Sequence, residues 1–286
     1  MYSLKVENDR GDTLELTGNP NYNVYKIEGL NPPKASINSS ANTTTDGSRI
    51  NSARLESRNI VIYMTVEGTA ESSVENNRIN LYKYFPAKKT VKLFFSHSSR
   101  NIYIEGAVEL IECDPFNEKQ VAQISIICPK PYFKDVKNLI TSFGDVTSLF
   151  EFPFNITKTG AELSAVTSNQ RKSIINIGDV ETGVIIKLFS TGTVVNPVIY
   201  DALKRTQLKL TFTMASGDTI VINTNVGEKS ITLIRGGVSY NIIGYMAQNS
   251  TWFTLESGDN VFTYDADSGN TSLQLTFTTA VLYSGV

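Results

Sequence analysis

The feature that most constrains this chain is a period-two alternation of apolar and polar residues that returns many times along its length. Ile60, Ile62, Met64 and Val66 are apolar, whereas Asn59, Thr65 and Glu67 are polar. Alternation of this kind puts one side of an extended segment against a core and leaves the other side to water. The pattern recurs at Val91, Leu93 and Phe95, and at Ile102, Ile104, Val108 and Leu110 opposite Glu105 and Glu109. It recurs again at Ile124, Ile126 and Cys128 opposite Gln123 and Ser125. Together these segments predict a mostly antiparallel N-terminal sheet system.

One segment departs from that rhythm. Ser72-Ser73-Val74-Glu75 has the Ser-x-x-Glu spacing of a helix capping box, Leu81 and Phe85 lie four apart, and Pro86 stops the run. A short helix with a narrow apolar stripe is expected there, lying across a sheet. The polar stretch from Asn38 to Asn51 reads as a long loop, and a loop of that length in a compact domain is usually functional or disordered.

After Cys128-Pro129-Lys130-Pro131-Tyr132-Phe133 the closely spaced prolines remove ladder donors, so the sheet pattern is expected to end. The reading is an N-terminal domain over residues 1–133, a linking arm over 134–150 and a second domain over 151–286 that opens at Glu151-Phe152-Pro153-Phe154. In the second domain Leu208, Leu210, Phe212 and Met214 alternate with Lys209, Thr211 and Thr213. Ser216-Gly217-Asp218 then turns into Ile220-Val221-Ile222, which reads as a hairpin. Another hairpin is expected at Gly236-Gly237, a pair able to take the positive φ angles of a tight turn. Trp252 to Leu255, a Gly258-Asp259-Asn260 turn, Val261 to Tyr264, and Leu273, Leu275 and Phe277 continue a series of short, evenly spaced strands. That spacing predicts a sandwich or jelly roll.

The residues offer little for chemistry. His97 is the only histidine, and Ser96-His97-Ser98-Ser99-Arg100-Asn101 reads as a surface loop between strands. Cys113 and Cys128 stand fifteen positions apart with no CxxC, so they read as free thiols, Cys128 in the core. Glu109, Glu112 and Asp114, and Asp259, Asp265 and Asp267, are acid groups that solvated edges and turns account for, and no phosphate-binding glycine motif is present. The expectation is no catalytic residue, no cofactor and no metal site. A net charge of -2 and a pI near 5.6 argue against a surface that grips duplex nucleic acid. There is no run of 18 apolar residues and no basic-then-apolar leader, so a soluble, cytoplasmically made chain without membrane insertion is expected. Trp252, with Tyr240 and Tyr245 nearby in sequence, forms a candidate glycan-stacking set. A large aromatic in a strand-like run more often fills a core.

Two stretches carry a resemblance. The first runs through the opening hairpin around Asn8-Asp9-Arg10-Gly11-Asp12 and on to Glu28-Gly29-Leu30-Asn31-Pro32-Pro33. It continues through Asp46-Gly47, Arg58-Asn59-Ile60, Tyr84-Phe85-Pro86 and Pro129-Lys130-Pro131-Tyr132-Phe133. The second runs from Phe152-Pro153-Phe154 through Asn176-Ile177-Gly178-Asp179, Asn196-Pro197 and Ser216-Gly217-Asp218 to Gly258-Asp259-Asn260. Each is a turn that many β proteins share, and their joint order resembles the distal tail proteins of siphophages.

The resemblance implies a mainly β chain, with a β-sandwich-like ring-forming N-terminal domain bearing one short helix and a galectin-like C-terminal sandwich. It implies a structural protein of the virion tail tip, assembled in the host bacterial cytoplasm. Six copies would close a ring between the tail tube protein and the tail-associated hub or lysin protein, support receptor-binding proteins, and leave a channel through which DNA passes unbound. The ring-interface candidates that follow are Asn31, Pro32, Pro33, Asp46, Gly47, Arg58 and Asn59. The alternative is a lectin-like module for host-surface recognition.

Overall fold

The computed structural model describes residues 2–42, 44–69, 72–97, 100–117, 119–143, 145–148, 164–167 and 171–286. Among the described residues the chain is mainly β, with one α-helix, and it divides into two compact units: Met1–Val136 together with Leu282–Val286, and Lys137–Val281.

In unit 1 the strands are β1 (Ser3–Glu7), β2 (Thr13–Glu15), β3 (Tyr22–Glu28), β4 (Ala35–Ala41), β5 (Ser48–Leu55) and β6 (Arg58–Val66). They are followed by α1 (Val74–Tyr84), β7 (Thr90–His97), β8 (Arg100–Cys113), β9 (Val121–Cys128) and β10 (Phe133–Asp135). The main sheet runs β2-β1-β7-β8-β9-β6-β3, and its paired strands are antiparallel. The alternating residues behave as their period requires: Ile60, Ile62, Met64, Val91, Leu93, Phe95, Ile102, Ile104, Val108, Ile124, Ile126 and Cys128 are all buried. Leu110 does not follow, because the register between β8 and β9 shifts at Val108/Leu110 and the bulge carries Leu110 to the surface.

Leu81 and Phe85 are both buried, as a shared apolar stripe requires, but the helix ends at Tyr84 and Phe85 is its C-cap. Its N-cap is Ser73, one residue later than the capping box predicts. The Ser73 hydroxyl accepts from Asn76 N, while Ser72 instead donates to Asn77 Oδ1 at 2.7 Å. The expected loop at 38–51 is instead the hairpin of β4 and β5, a two-stranded sheet of its own. Neither of its faces is buried, so it shows no apolar alternation by which to recognise it. His97 ends β7 rather than lying in a loop, its ring 4.6 Å from that of Tyr2.

The residues expected to link two domains are largely strand. β10 pairs with β8 and with Leu282–Tyr283, whereas Leu139–Phe143 pairs with Leu273–Thr279 in unit 2. Residues 282–286, expected with the C-terminal sandwich, therefore lie in unit 1. Glu151 to Phe154, where the second domain was expected to open, lie outside the described residues.

Unit 2 sets a six-stranded sheet and a five-stranded sheet around one core. The first orders Leu139–Phe143, Leu273–Thr279, Ile185–Ser190, Thr219–Asn223, Ser230–Arg235 and Val238–Asn241. The second orders Arg171–Asn176, Gly258–Ser268, Val194–Asp201 and Thr206–Lys209, with Thr213–Met214 added on Val194–Asp201. Phe253, Phe262 and Phe277 fill the core with ring centroids 5.1–5.3 Å apart. The Gly236-Gly237 hairpin forms with both glycines at positive φ.

The hairpin expected across Ser216-Gly217-Asp218 does not form. Residues 206–214 pair with Val194–Asp201, and Thr219–Asn223 pairs in the other sheet, so the chain crosses between sheets at this turn. Asp218 holds the crossing by accepting from Ala215 N at 2.7 Å and from Arg235 Nε at 2.8 Å. Gly258 to Asn260, expected as a turn, begins a strand.

Candidate assembly interface

The β4–β5 hairpin is the feature of unit 1 with the least to hold it in place. Its seven and eight strand residues extend about 23 Å at the usual rise. Ile37 is 58% exposed and Ile50 63%, and the register sets both on one face. A lone two-stranded ribbon is marginal in water, so an arm of this kind gains its order from its root or from a surface that covers it.

The root is built with care. Between β3 and β4 the chain turns at Gly29 with φ +84°, and a Cβ there would meet Asn59 O at 2.1 Å, so only glycine fits. Arg58, the first residue of β6, turns inward and is 4% exposed. Its Nη1 donates to Gly29 O at 2.5 Å and Asn31 O at 2.7 Å, its Nε to Pro131 O at 2.7 Å, and its Nη2 to Ser284 O at 2.6 Å. Its guanidinium also stacks over the Phe133 ring at 4.6 Å. The planar fork of arginine suits such a cluster of carbonyls, because four of its five N–H donors are used in fixed directions. Burial lowers the Arg58 pKa.

Residues 282–286 complete the root. Leu282–Tyr283 pairs with β10, Ser284 supplies a carbonyl to Arg58, and Val286 N donates to Leu30 O at 3.1 Å. A Cβ on Gly285 would come within 3.1 Å of Leu30 O. Three segments distant in sequence, 29–31, 131–133 and 282–286, thus meet on one guanidinium.

The sequence-predicted interface residues fall in two places. Asp46 and Gly47 are exposed at the tip of the arm, where Asn42 N donates to Gly47 O at 3.2 Å. Asn31 and Pro32 are exposed at the root beside the half-buried Pro33, and Asn59 presents its side-chain oxygen 3.0 Å from the Ser125 hydroxyl. Arg58 is set apart from this group, because its side chain is spent inside unit 1. Sequence reasoning missed the part played by residues 282–286. A five-residue strand-and-turn segment carries no periodic signal of its own.

The three candidate stacking aromatics sit in three settings. Trp252 packs partly buried against the unit 2 core with the Lys229 ammonium 5.6 Å from its ring. Tyr245 meets the Phe212 ring edge-on at 5.2 Å, and Tyr240 stands exposed on the edge strand Val238–Asn241 near Arg235.

The motif residues of unit 2 serve as turn locks. Buried Asn176 donates to Val180 O at 3.0 Å and Leu255 O at 3.2 Å and accepts from Gly178 N at 3.0 Å. Asn196, at φ +50°, donates to Asp267 Oδ2 at 2.8 Å.

Residues 177–280 match a family model described as siphovirus-type tail component, C-terminal domain. No curated protein matches the chain by sequence. Among solved structures, the fold is similar to that of the Dit protein of phage SPP1, described as a paradigm of the hub adsorption apparatus in phages that infect Gram-positive hosts. That likeness has a TM-score of 0.66 at 15% identity and covers 96% of this chain and 98% of that one. It is also similar to a chain of the phage P2 baseplate in its activated conformation with Ca, with a TM-score of 0.54 at 14% identity and 98% coverage of each chain. A chain of the same baseplate with Sr gives 0.53 at 14% identity, again covering 98% of each. The resemblance carried by the turn motifs is thus found independently in the second unit's sequence and in the fold of nearly the whole chain.

Proposed function

We propose that this chain, which carries a siphovirus-type tail component domain and the fold of tail hub and baseplate proteins, is a distal tail adaptor whose copies close a homohexameric ring through unit 1. One face of the ring meets the tail tube protein and the other the tail-associated hub or lysin protein. Unit 2 braces the ring or supports receptor-binding proteins. The role is structural rather than enzymatic, in the virion tail tip, after assembly in the host cytoplasm.

The observation that carries this reading is the arm: an exposed two-stranded ribbon with two isoleucines on one face, fixed at a root that spends a buried arginine on it. A monomer gains nothing from such an arm, whereas a neighbouring copy that covers it removes both isoleucines from water. The net charge of -2 suits a channel through which DNA travels, because a strongly basic lumen would hold phosphates by counterion release.

Replacing residues 35–55 by a short Gly-Ser turn leaves unit 1 folded and gives monomers. An arm-deleted chain that assembles like the full one would refute the arm's role.

A further inference from the structure

The β8–β9 hairpin bears a projecting ring at one end and a matching hollow at the other. At the turn between these strands Phe116 is 97% exposed. Its backbone is nonetheless held, because Asp114 Oδ1 accepts from Phe116 N at 3.0 Å and Asp114 Oδ2 from Asn117 Nδ2 at 3.0 Å. Glu112 and Asp114 precede the ring, while Lys119 follows it and Arg78 acts on Cys113, so the carboxylates stand on the β8 side of the apolar knob.

Toward the other end of the same hairpin is a cavity of about 220 Å³ with a predominantly apolar lining. Ala107, Pro129 and Tyr132 help form its walls, and Lys130 and Lys134 also line it. Glu105, which also lines it, lies directly across the ladder from Lys92.

The six residues of β8 between Ala107 and Asp114 separate hollow from knob by roughly 20 Å, so a chain does not fill its own hollow. Opposite charge and matched apolar character at opposite ends of one element describe a head-to-tail contact. Such contacts between identical copies close into rings or extend into fibres.

We infer that Phe116 of one copy seats in the hollow beside Ala107 of the next, with Asp114 and Glu112 of the first facing Lys130 and Lys134 of the second. This names a contact within the proposed self-assembly and rests on that reading. The occupant is a second copy because the same chain presents both the ring beside its two carboxylates and the lysine-bearing hollow.

Two experiments on the full chain test it. With benzoylphenylalanine at position 116, irradiation is expected to give covalent dimers whose adducts map to peptides spanning 104–107 or 129–134 of the other copy. Adducts elsewhere, or none in a chain that self-associates, overturn the contact. Separately, Phe116→Ala removes the knob and Ala107→Trp fills the hollow, each weakening self-association by roughly 10- to 100-fold, the range set by burying one large aromatic. Mixed in equal amounts, the two variants retain one intact junction and associate more tightly than either variant alone. If the mixture stays monomeric while the unaltered chain assembles, the knob-and-hollow contact is wrong and ring assembly stands. If the unaltered chain stays monomeric and gives no adduct at any concentration, ring assembly itself is wrong.

Discussion

Replacing Arg58 by methionine keeps a side chain of similar length and removes four hydrogen bonds. Gly29 O, Asn31 O, Pro131 O and Ser284 O are left without the charged donor that now satisfies them. A hydrogen bond to a charged group contributes about 1.5–3 kcal/mol and such losses are not additive, so a total near 3–5 kcal/mol is the working figure. In a unit of this size that lowers the melting temperature by about 10–20 °C. Calorimetry should show the unit 1 transition falling by that much and the unit 2 transition unmoved. Amide exchange should speed up first at 29–31 and 284–286, where Val286 N is held by Leu30 O. Arg58→Lys should recover only part of the loss, because an ammonium has three donors and no planar fork. A unit 1 transition that shifts by less than about 3 °C, or exchange unchanged at both segments, would show that the guanidinium does not hold the root.

Further outcomes follow from the two units. Because β10 and Leu282–Tyr283 are antiparallel neighbours, replacing residues 137–281 by a four-residue glycine-serine link should leave a folded unit 1. Stopping the chain at 136 should destabilise it through loss of Ser284 and Val286, and equal melting of the two shortened chains would refute this. Asp218→Asn removes the bidentate Arg235 partner and should lower unit 2 stability by about 1.5–3 kcal/mol in urea denaturation. Arg235 hydrogen bonding holds the Asp218 carboxyl below its usual 3.8, so that contribution is complete above pH 3.8 and is lost as pH falls through the lowered native value. The variant should therefore show a weaker acid dependence there.

Burial pushes the Cys128 thiol up to about 12, with Arg58 opposing the shift. Cys128 is predicted to resist a thiol reagent at pH 8 until the chain unfolds, whereas half-buried Cys113, whose thiol pKa burial also raises, reacts slowly in the native state. The sign of the linkage is the reverse of the aspartate's. The Cys128 contribution is complete below pH 9, the thiol's ordinary value, and is lost as pH rises from there through about 12.

Much of the fold was legible because burial writes a period into the sequence. Ile60, Ile62 and Met64, or Ile124 and Ile126, are apolar at every second place because each faces one core. Where neither face is buried the writing stops, and so β4 and β5 read as a loop. Alternation also says which face of a strand is inward but not which strand lies beside it. Leu208 and Ile220 both point into the unit 2 core, yet they belong to different sheets, so by alternation alone the crossing at Asp218 reads as a hairpin.

The root of the arm was half legible. Gly29 and the Asn31-Pro32-Pro33 turn stood out by residue type. The inward turn of Arg58 and its bond to Ser284, 226 positions away, depend on tertiary placement that no local pattern carries.

Self-assembly into a closed ring is what sets this chain apart from a lectin-like module. Light scattering of the purified full chain over a range of concentrations, with negative-stain images of the main species, tests it most directly. A species of six subunits, ring-shaped with an open centre, is expected. A chain that stays monomeric at every concentration, with and without tail tube and hub proteins, would contradict it.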